Sequence, residues 1–516
     1  MQTTTDEFTR ISQADVRELN FAVRMSFDKV FDDDINFFEI GTSVIGGSDF
    51  IPGTGDVVQE WDKYTYIDVS GRVTEIEWQR EVKPFSGFSL GMADVVFDNY
   101  DDYFTPGGSS EVADYILPYR PIRIYAGFGA DVIPVFIGLT EKMPEINEKS
   151  KTATFHCVDF LYSILERPLL ESAMYVGQTT DTIISNLLQL VGLSTLQFEL
   201  DTGFLTVPYA SFRKDEKLKH ALEKILQAEQ GRLYLDEQGT IRFKNRQNIS
   251  TSTIMSLNAY TNIVDYKTLK QDQIINVAEV KSHVVEVGAN QEYYELPIDD
   301  PITVPAGGSF EVWVDIGKVT GVDAPVYIDS ATTSSFSVNT ASDGSGSANS
   351  TDVTLSSSSL LGESFKMTFA NANVADLYIT DLRLFATPVI KGKPIYVVEE
   401  NASSKTKYDE RVKTIENEYI QTEADATSLA TTVLSDYAIH GRITQLKIKG
   451  TPALQVDDAV HVNLYDNNGD FRVMKIMNKI SQPAKYEQYI EVKELQVITY
   501  FTIGTSLIGG DDQIKP

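Results

Sequence analysis

The chain has 516 residues, too many for one apolar core, so roughly three or four domains are expected. Its 42% hydrophobic and 23% charged content belongs to a folded globular protein, and no apolar run reaches the roughly 18 residues of a spanning helix, so no membrane anchor is expected. With 74 acidic against 44 basic residues the net charge is −30, which repels nucleic acid and anionic membrane surfaces, because gripping phosphates takes Lys and Arg.

The N-terminus, MQTTTDEFTR, has no basic region followed by an apolar stretch, so a secretory signal is not expected. Aromatic and β-branched residues then alternate in short runs at 21–27, 64–70, 72–78, 93–99, 121–129 and 152–160, which predicts strands. The segment 28–63 is acidic and Gly-rich, a long exposed excursion, and 101–120 is an ordered loop turning at Pro106-Gly107-Gly108. Residues 1–160 form a first β domain. Its strand TATFHCVDF carries the single cysteine, Cys157, which excludes an intramolecular disulfide and a Cys-based zinc cage.

After Asp159 the period changes. TTDTIISNLLQLVGL places Ile183, Ile184, Leu187, Leu188 and Val191 on one side of a helix stopped by Gly192. DEKLKHALEKILQAEQG does the same with Leu218, Ala221, Leu222, Ile225 and Leu226, ending at Gly231. A hairpin RLYLD/TIRFKN follows, making 161–262 an α+β unit. Strand returns at 274–288, and from 292 to 391 a Ser/Thr/Gly-rich composition with short alternating runs predicts an inserted β-sandwich. Its loop ASDGSGSANS (341–350) is flexible by composition. In the last stretch Thr422 and Asp425 suit the cap of a helix with Leu429, Val433 and Tyr437 as its apolar stripe. Asn468-Gly469 then predicts a hairpin turn between two strands. Residues 263–291 and 392–500 make a second β domain, followed by a terminal peptide, 501–516. The fold class is mainly β with an α+β unit, in several domains.

One short peptide occurs twice. Residues 38–49 read FEIGTSVIGGSD and 501–512 read FTIGTSLIGGDD, identical at nine of twelve positions, yet the flanking sequences differ. The pair is therefore not the remnant of a duplicated domain, which would repeat over tens of residues.

No catalytic constellation is visible. His156, His220, His283, His440 and His461 are scattered, and none sits in HExxH or at a metal-binding spacing; three lie in strands as packing residues. Asp98, Tyr100 and Asp102 mimic an acidic metal loop but lack the glycine and glutamate of a calcium hand. GxSxG, GxxxxGK[ST] and a GxGxxG opening a helix are all missing. No enzyme activity, metal or cofactor is expected.

The run from Trp78 to Leu165 resembles the N-terminal half of phage tail-tip proteins, also called baseplate hub or minor tail proteins. Trp78 and Arg80 match a W-x-R strand; Asn99, Asp101, Phe104, Thr105 and Pro106 match an Asn-x-Asp…Phe-Thr-Pro segment. Leu117, Pro118, Arg120, Pro121 and Arg123 match the strand that follows, and Phe136 and Gly138 a Phe-x-Gly step. Further on, YDERVKTIENEYIQ, an Ala-rich helix and PALQVDDAVHV resemble the family's hub pattern. Three residues depart from it: Asp102, Asp409 and Asp457 stand where the family pattern has glycine.

The resemblance implies two tail-tube-like β-barrel domains per chain, in a homotrimer whose six barrels match a hexameric tail tube. It also implies a place in the virion, at the distal end of the tail. Implied partners are a distal tail or tail-tube protein, a tape measure protein and a tail fibre or adaptor protein, with phage DNA passing an acidic channel without specific binding. On this plan both repeated peptides would dock into equivalent grooves through Ile40, Gly41, Thr42, Ser43 and Ile45, and through Ile503, Gly504, Thr505, Ser506 and Ile508. Purely local packing is the equal alternative for both. A rival function is host-surface adhesion, with Trp313 and Tyr327, alongside Phe336 and Phe369, stacking on sugar rings. Aromatics in alternating strands are, however, more often core.

Overall fold

The structure, a computed structural model, describes residues 2, 4–12, 14, 19–27, 64–82, 85, 87–169, 172, 174–212, 216–246, 253–270, 274–296, 300–315, 327–361, 364–439, 441–464, 467–481 and 485–495. Both copies of the repeated peptide, with all ten of their expected docking residues, lie outside this set, as do the excursion 28–63 and His440.

The chain is mainly β, and the two β domains read from the sequence are halves of one sheet. From one edge its strands run Ile263–Lys270, Arg442–Ile448, Lys485–Glu494, Asn467–Ser481, then Val73–Glu81, Gly91–Asp98, Thr152–Asp159, Asp131–Thr140, Pro121–Phe128, Leu19–Met25 and Ile67–Asp68. The seam between the halves is antiparallel, from Lys475↔Glu81 through Asn478↔Trp78 to Ser481↔Glu75. Lys479 Nζ reaches Glu75 Oε1 across it at 2.6 Å.

Among the described residues no sheet closes into a barrel, which differs from the two barrels expected. Alternation specifies which residues face inward, whereas closure depends on the pairing of distant edges, which carries no local signal. The first half nevertheless curls around its own core: Val23, Ile76, Val95, Ile124, Val135 and Phe155, from six strands, share one apolar cluster. Ala453 and Ile480 of the second half pack into the same cluster.

The α+β unit is built on helices Thr180–Leu190 and Leu218–Glu229, whose expected apolar faces are buried except for Val191, which caps the first helix and is half-buried. Its core extends beyond 161–262. Ala278 and Val280 of the strand Val277–Val287, Ile395, Ile415, and Ala426, Leu429 and Val433 of helix Glu423–Tyr437 belong to the same cluster. Packing thus cuts across the grouping of 263–291 and 392–500, because period-2 patterning does not say which sheet a strand joins.

The inserted unit is two facing sheets. Ser309–Asp315, Ser364–Asn371 and Val353–Leu361 form one; Gln291–Glu295, Ile302–Val304 and Tyr327–Asn339 pair with the first half of Leu377–Glu400 to form the other. That 24-residue strand continues into the α+β core, so the insertion is tied on by a continuous backbone ladder. The small-residue loop 341–350 is held by hydrogen bonds, among them Asn339 Nδ2 to the Gly344 carbonyl at 3.0 Å and Ser345 N–H to Asp343 at 2.9 Å. Composition reads such a loop as mobile; Asx-type turns restrain it.

At Asn468-Gly469 the structure departs from the expected turn. The pairs Leu464↔Asn467, Asn463↔Asn468 and Val462↔Gly469 put both residues in the ladder rather than in a turn. Register here follows the buried cross-strand pair Val460↔Phe471.

Candidate functional site

Two of the matched segments, the W-x-R strand and PALQVDD, meet in space. In the strand Val73–Glu81, Trp78 and Arg80 are two apart and so share a face. Trp78 stacks on Tyr486 of the second β half. Arg80 Nη1 reaches Glu237 Oε1 at 3.3 Å, in the turn between the strands Arg232–Leu235 and Ile241–Lys244 of the α+β unit; each side chain is 12% exposed. Gln455, in PALQVDD, donates to the other oxygen of Glu237. Three units of the fold therefore meet on one buried ion pair.

The surrounding electrostatics are those of a joint. Asp159 is fully buried at the start of helix Phe160–Leu165, accepting from Gly91 N–H at 2.6 Å and Tyr162 N–H at 3.2 Å. Burial raises its pKa to about 6, opposed by the charge of Arg80 and by those N–H donors. Burial likewise pushes Glu237 up, again opposed by Arg80. Beside them Asp457 accepts from Arg472 Nε at 2.8 Å and from Arg232, while its own N–H bonds the Val473 carbonyl at 2.8 Å. The cavity between Trp78, Arg80, Phe136, Glu237 and Gln455 is about 30 Å³, far below the few hundred Å³ of a substrate pocket. Its chemistry is attachment.

The other matched segments are also structural. Phe104 N–H donates to Asn99 Oδ1 at 2.7 Å, Asn99 Nδ2 donates to Thr105 Oγ1 at 3.0 Å, and Asp101 pairs with Arg72 at 2.8 Å, so Asn-x-Asp…Phe-Thr is one caged turn. Phe104 is buried, its ring 4.6 Å from Phe97 and 5.6 Å from Phe155. Arg120 Nε donates to the Tyr115 carbonyl at 2.7 Å. At Gly138 any Cβ would collide with the Val158 carbonyl oxygen and the Phe136 ring.

The three departures from the family pattern are the most telling. Asp102, Asp409 and Asp457 have φ of 56°, 59° and 69°. Only glycine enters this half of conformational space freely, and Asp is among the few residues that tolerate it. Asp409, with ψ of 175°, sits where almost only glycine is found. At all three positions the backbone has a shape that glycine would serve.

Of the residues expected to stack on sugars, Trp313 is 52% exposed between the buried Val312 and Val314, with Lys366 Nζ 5.2 Å from its ring centre. Tyr327 begins the strand Tyr327–Asn339 in the opposite sheet, so the two are not neighbours in one ladder. Phe336 and Phe369 meet edge-to-face at 5.1 Å in the sandwich core. For those two the packing reading holds.

Among the described residues no group of three or more His, Cys, Asp or Glu is placed to hold a metal ion. Cys157 is buried, and burial pushes its thiol well above the usual range, which makes it a poor nucleophile. His156 and His461 each bond a cross-strand aspartate, Asp94 and Asp470, at 2.6 Å. The Glu237–Gln455 and Asp457–Arg232 contacts join residues more than two hundred positions apart, and no local spacing signals them.

No protein-family model matches the chain, and no curated protein matches it. Solved structures do. The 43 kDa tail protein of prophage MuSo2 from Shewanella oneidensis is 10% identical, with a TM-score of 0.44 over 83% of this chain and 96% of that one. The tail protein from Neisseria meningitidis MC58 is 10% identical, with a TM-score of 0.47 over 83% and 94%. Prophage tail protein gp18 from Listeria monocytogenes EGD-e is 8% identical, with a TM-score of 0.43 over 85% and 93%. All three are tail proteins.

Proposed function

We propose that this chain is a structural hub of a phage tail tip. The observation that carries the reading is the set of three aspartates at positive φ: each stands where the hub pattern has glycine, and each keeps the backbone that glycine would allow. A chance resemblance would give no reason for all three departures to share this geometry. The seam that fuses two β halves in one chain suits a protein that must match a sixfold tube with three copies. On this reading the hub is a non-enzymatic homotrimer at the distal end of the tail. It joins a distal tail or tail-tube protein, and the tape measure protein, to a fibre or adaptor. The net charge of −30 suits a wall past which DNA slides without counterion-releasing contacts. The two copies of IGTS[VL]IGG serve as docking strands for neighbouring subunits or the fibre.

Electron microscopy of virions labelled with an antibody to this chain tests the location. Label at the tail's far end is expected, and label on the capsid or none on intact particles contradicts it. Removing residues 501–516 is expected to block assembly with the tail while leaving the fold intact; unchanged assembly removes the docking role for that copy. A second reading, host-surface adhesion through the inserted sandwich, is favoured by the exposed face of Trp313. On a glycan array with the full chain it requires binding that Trp313→Ala abolishes.

A further inference from the structure

The strand Val277–Val287 is covered unequally along its two edges. On one, Leu377–Glu400 runs antiparallel from Val277↔Glu400 to Val287↔Val389. On the other, Val412–Glu416 pairs in parallel only as far as Lys281↔Glu416. The chain then turns away. Asn417 N–H makes a last bond to the Lys281 carbonyl at 3.2 Å, and its side chain donates to the Lys224 carbonyl at 2.7 Å. Among the described residues no strand pairs with the outer edge of 282–287.

The space into which Val412–Glu416 would continue is a cavity of about 410 Å³. Lys224, Lys281 and Lys391 line it, three ammonium groups against the two carboxylates of the same wall, Glu416 and Glu418. Lys224 is engaged by Glu418 at 2.6 Å and Lys281 lies 3.8 Å from Glu279, whereas Lys391 is exposed. Two further wall residues are buried with a polar atom unpaired: Ser282 Oγ and Gln421 Oε1, in residues 6% and 5% exposed. A buried polar atom without a partner is costly, and native structures leave few of them. Gln421 Oε1 accepts only, so it calls for an N–H. The ladder to Leu377–Glu400 is also interrupted between His283 and Val285, and such breaks recur where pairing is terminated or a ligand is met.

We propose that this edge receives an extended, acidic segment of a partner protein, added as a strand beside 282–287 in line with Val412–Glu416. Its backbone supplies the N–H that Gln421 lacks and a partner for Ser282, and its carboxylates meet Lys281 and Lys391. Main-chain bonds give such strand addition its affinity, and side-chain pockets give it selectivity.

The probe is a fluorescent peptide alternating Glu with Thr and Val, compared with the same peptide carrying Lys for Glu, on the full chain at low salt. The acidic peptide is expected to bind and to slow amide hydrogen exchange across 282–287. Lys391→Glu should weaken it roughly tenfold, while Lys393→Glu, outside the cavity wall, leaves it unchanged. Equal binding of the Lys peptide, absence of binding at millimolar acidic peptide, or unaltered exchange at 282–287 overturns the proposal. Self-association of the chain that Lys391→Glu abolishes would place a second copy in the edge and overturn its assignment to a different protein.

Discussion

Trp78 lies nearly parallel to Tyr486, with ring centroids 6.3 Å apart and 15° between the planes. One ring belongs to the first β half and the other to the second. Tyr486 donates its hydroxyl to Asn478 Oδ1 at 2.8 Å, and Asn478 is the register partner of Trp78. Gln488, fully buried, donates to the same oxygen at 2.8 Å and to the Thr451 carbonyl at 3.0 Å. The seam is thus a backbone ladder, a ring stack and a satisfied amide network acting together.

Trp78→Ala should therefore cost about 3–5 kcal/mol in denaturant unfolding, the range for deleting a buried large aromatic. In a double-mutant cycle with Tyr486→Ala, a coupling of about 0.5–1.5 kcal/mol is expected for the stacked pair. Strictly additive effects would show that the stack does not join the halves.

Two of the positive-φ aspartates, Asp409 and Asp457, respond oppositely to replacement by glycine. Asp409 is exposed and sits in a nearly glycine-only region, where strain is about 1–3 kcal/mol; the added chain entropy of glycine takes back about 0.5–1 kcal/mol. Asp409→Gly should stabilise by about 1 kcal/mol. Asp457→Gly frees a backbone with φ of 69° but leaves Arg472 and Arg232 without their shared carboxylate, a loss of about 3–5 kcal/mol for a buried pair. It should destabilise. Thermal unfolding of both variants separates the two outcomes by sign.

Asp159 makes stability depend on pH. Its folded pKa, about 6, lies above the ordinary carboxylate value, so between about pH 4 and 6 the folded state binds the extra proton. The stabilisation is complete below the unfolded pKa and is lost as pH rises through about 6. Burial raises Glu229, Glu237, Asp436 and Asp458 in the same direction. Unfolding free energy should fall from pH 5 to pH 7, and Asp159→Asn should flatten part of that slope. An unchanged slope would mean that Asp159 ionises freely.

Gly138→Ala tests the close approach of strands. The added methyl meets backbone on one side and a buried ring on the other, neither able to yield cheaply, so a loss of about 1–3 kcal/mol or more is expected from overpacking. A neutral effect in thermal unfolding would show that the Asp131–Thr140 and Thr152–Asp159 strands can part.

Local physics was legible in the sequence. Thr422 Oγ accepts from Asp425 N–H at 3.1 Å as the capping pattern requires, and Ile183, Ile184, Leu187 and Leu188 are buried as their spacing predicts. Non-local pairing was not. Nothing near Trp78 announces Tyr486, and nothing near Arg80 announces Glu237 or Gln455; those contacts depend on which strand edges meet. Register also defeated the strongest turn signal, Asn468-Gly469, because burying Val460 against Phe471 outweighs a favourable dipeptide. The resemblance drew attention to Trp78 and Arg80 but not to Glu237 or Tyr486, and only geometry reveals that they meet.

The most direct test of the hub account is the mass of the full chain in solution, measured by light scattering over a wide concentration range. Three chains per particle are predicted, since one chain supplies two fused β halves and a sixfold tube needs six. A single chain at every concentration, or a closed dimer, would contradict it.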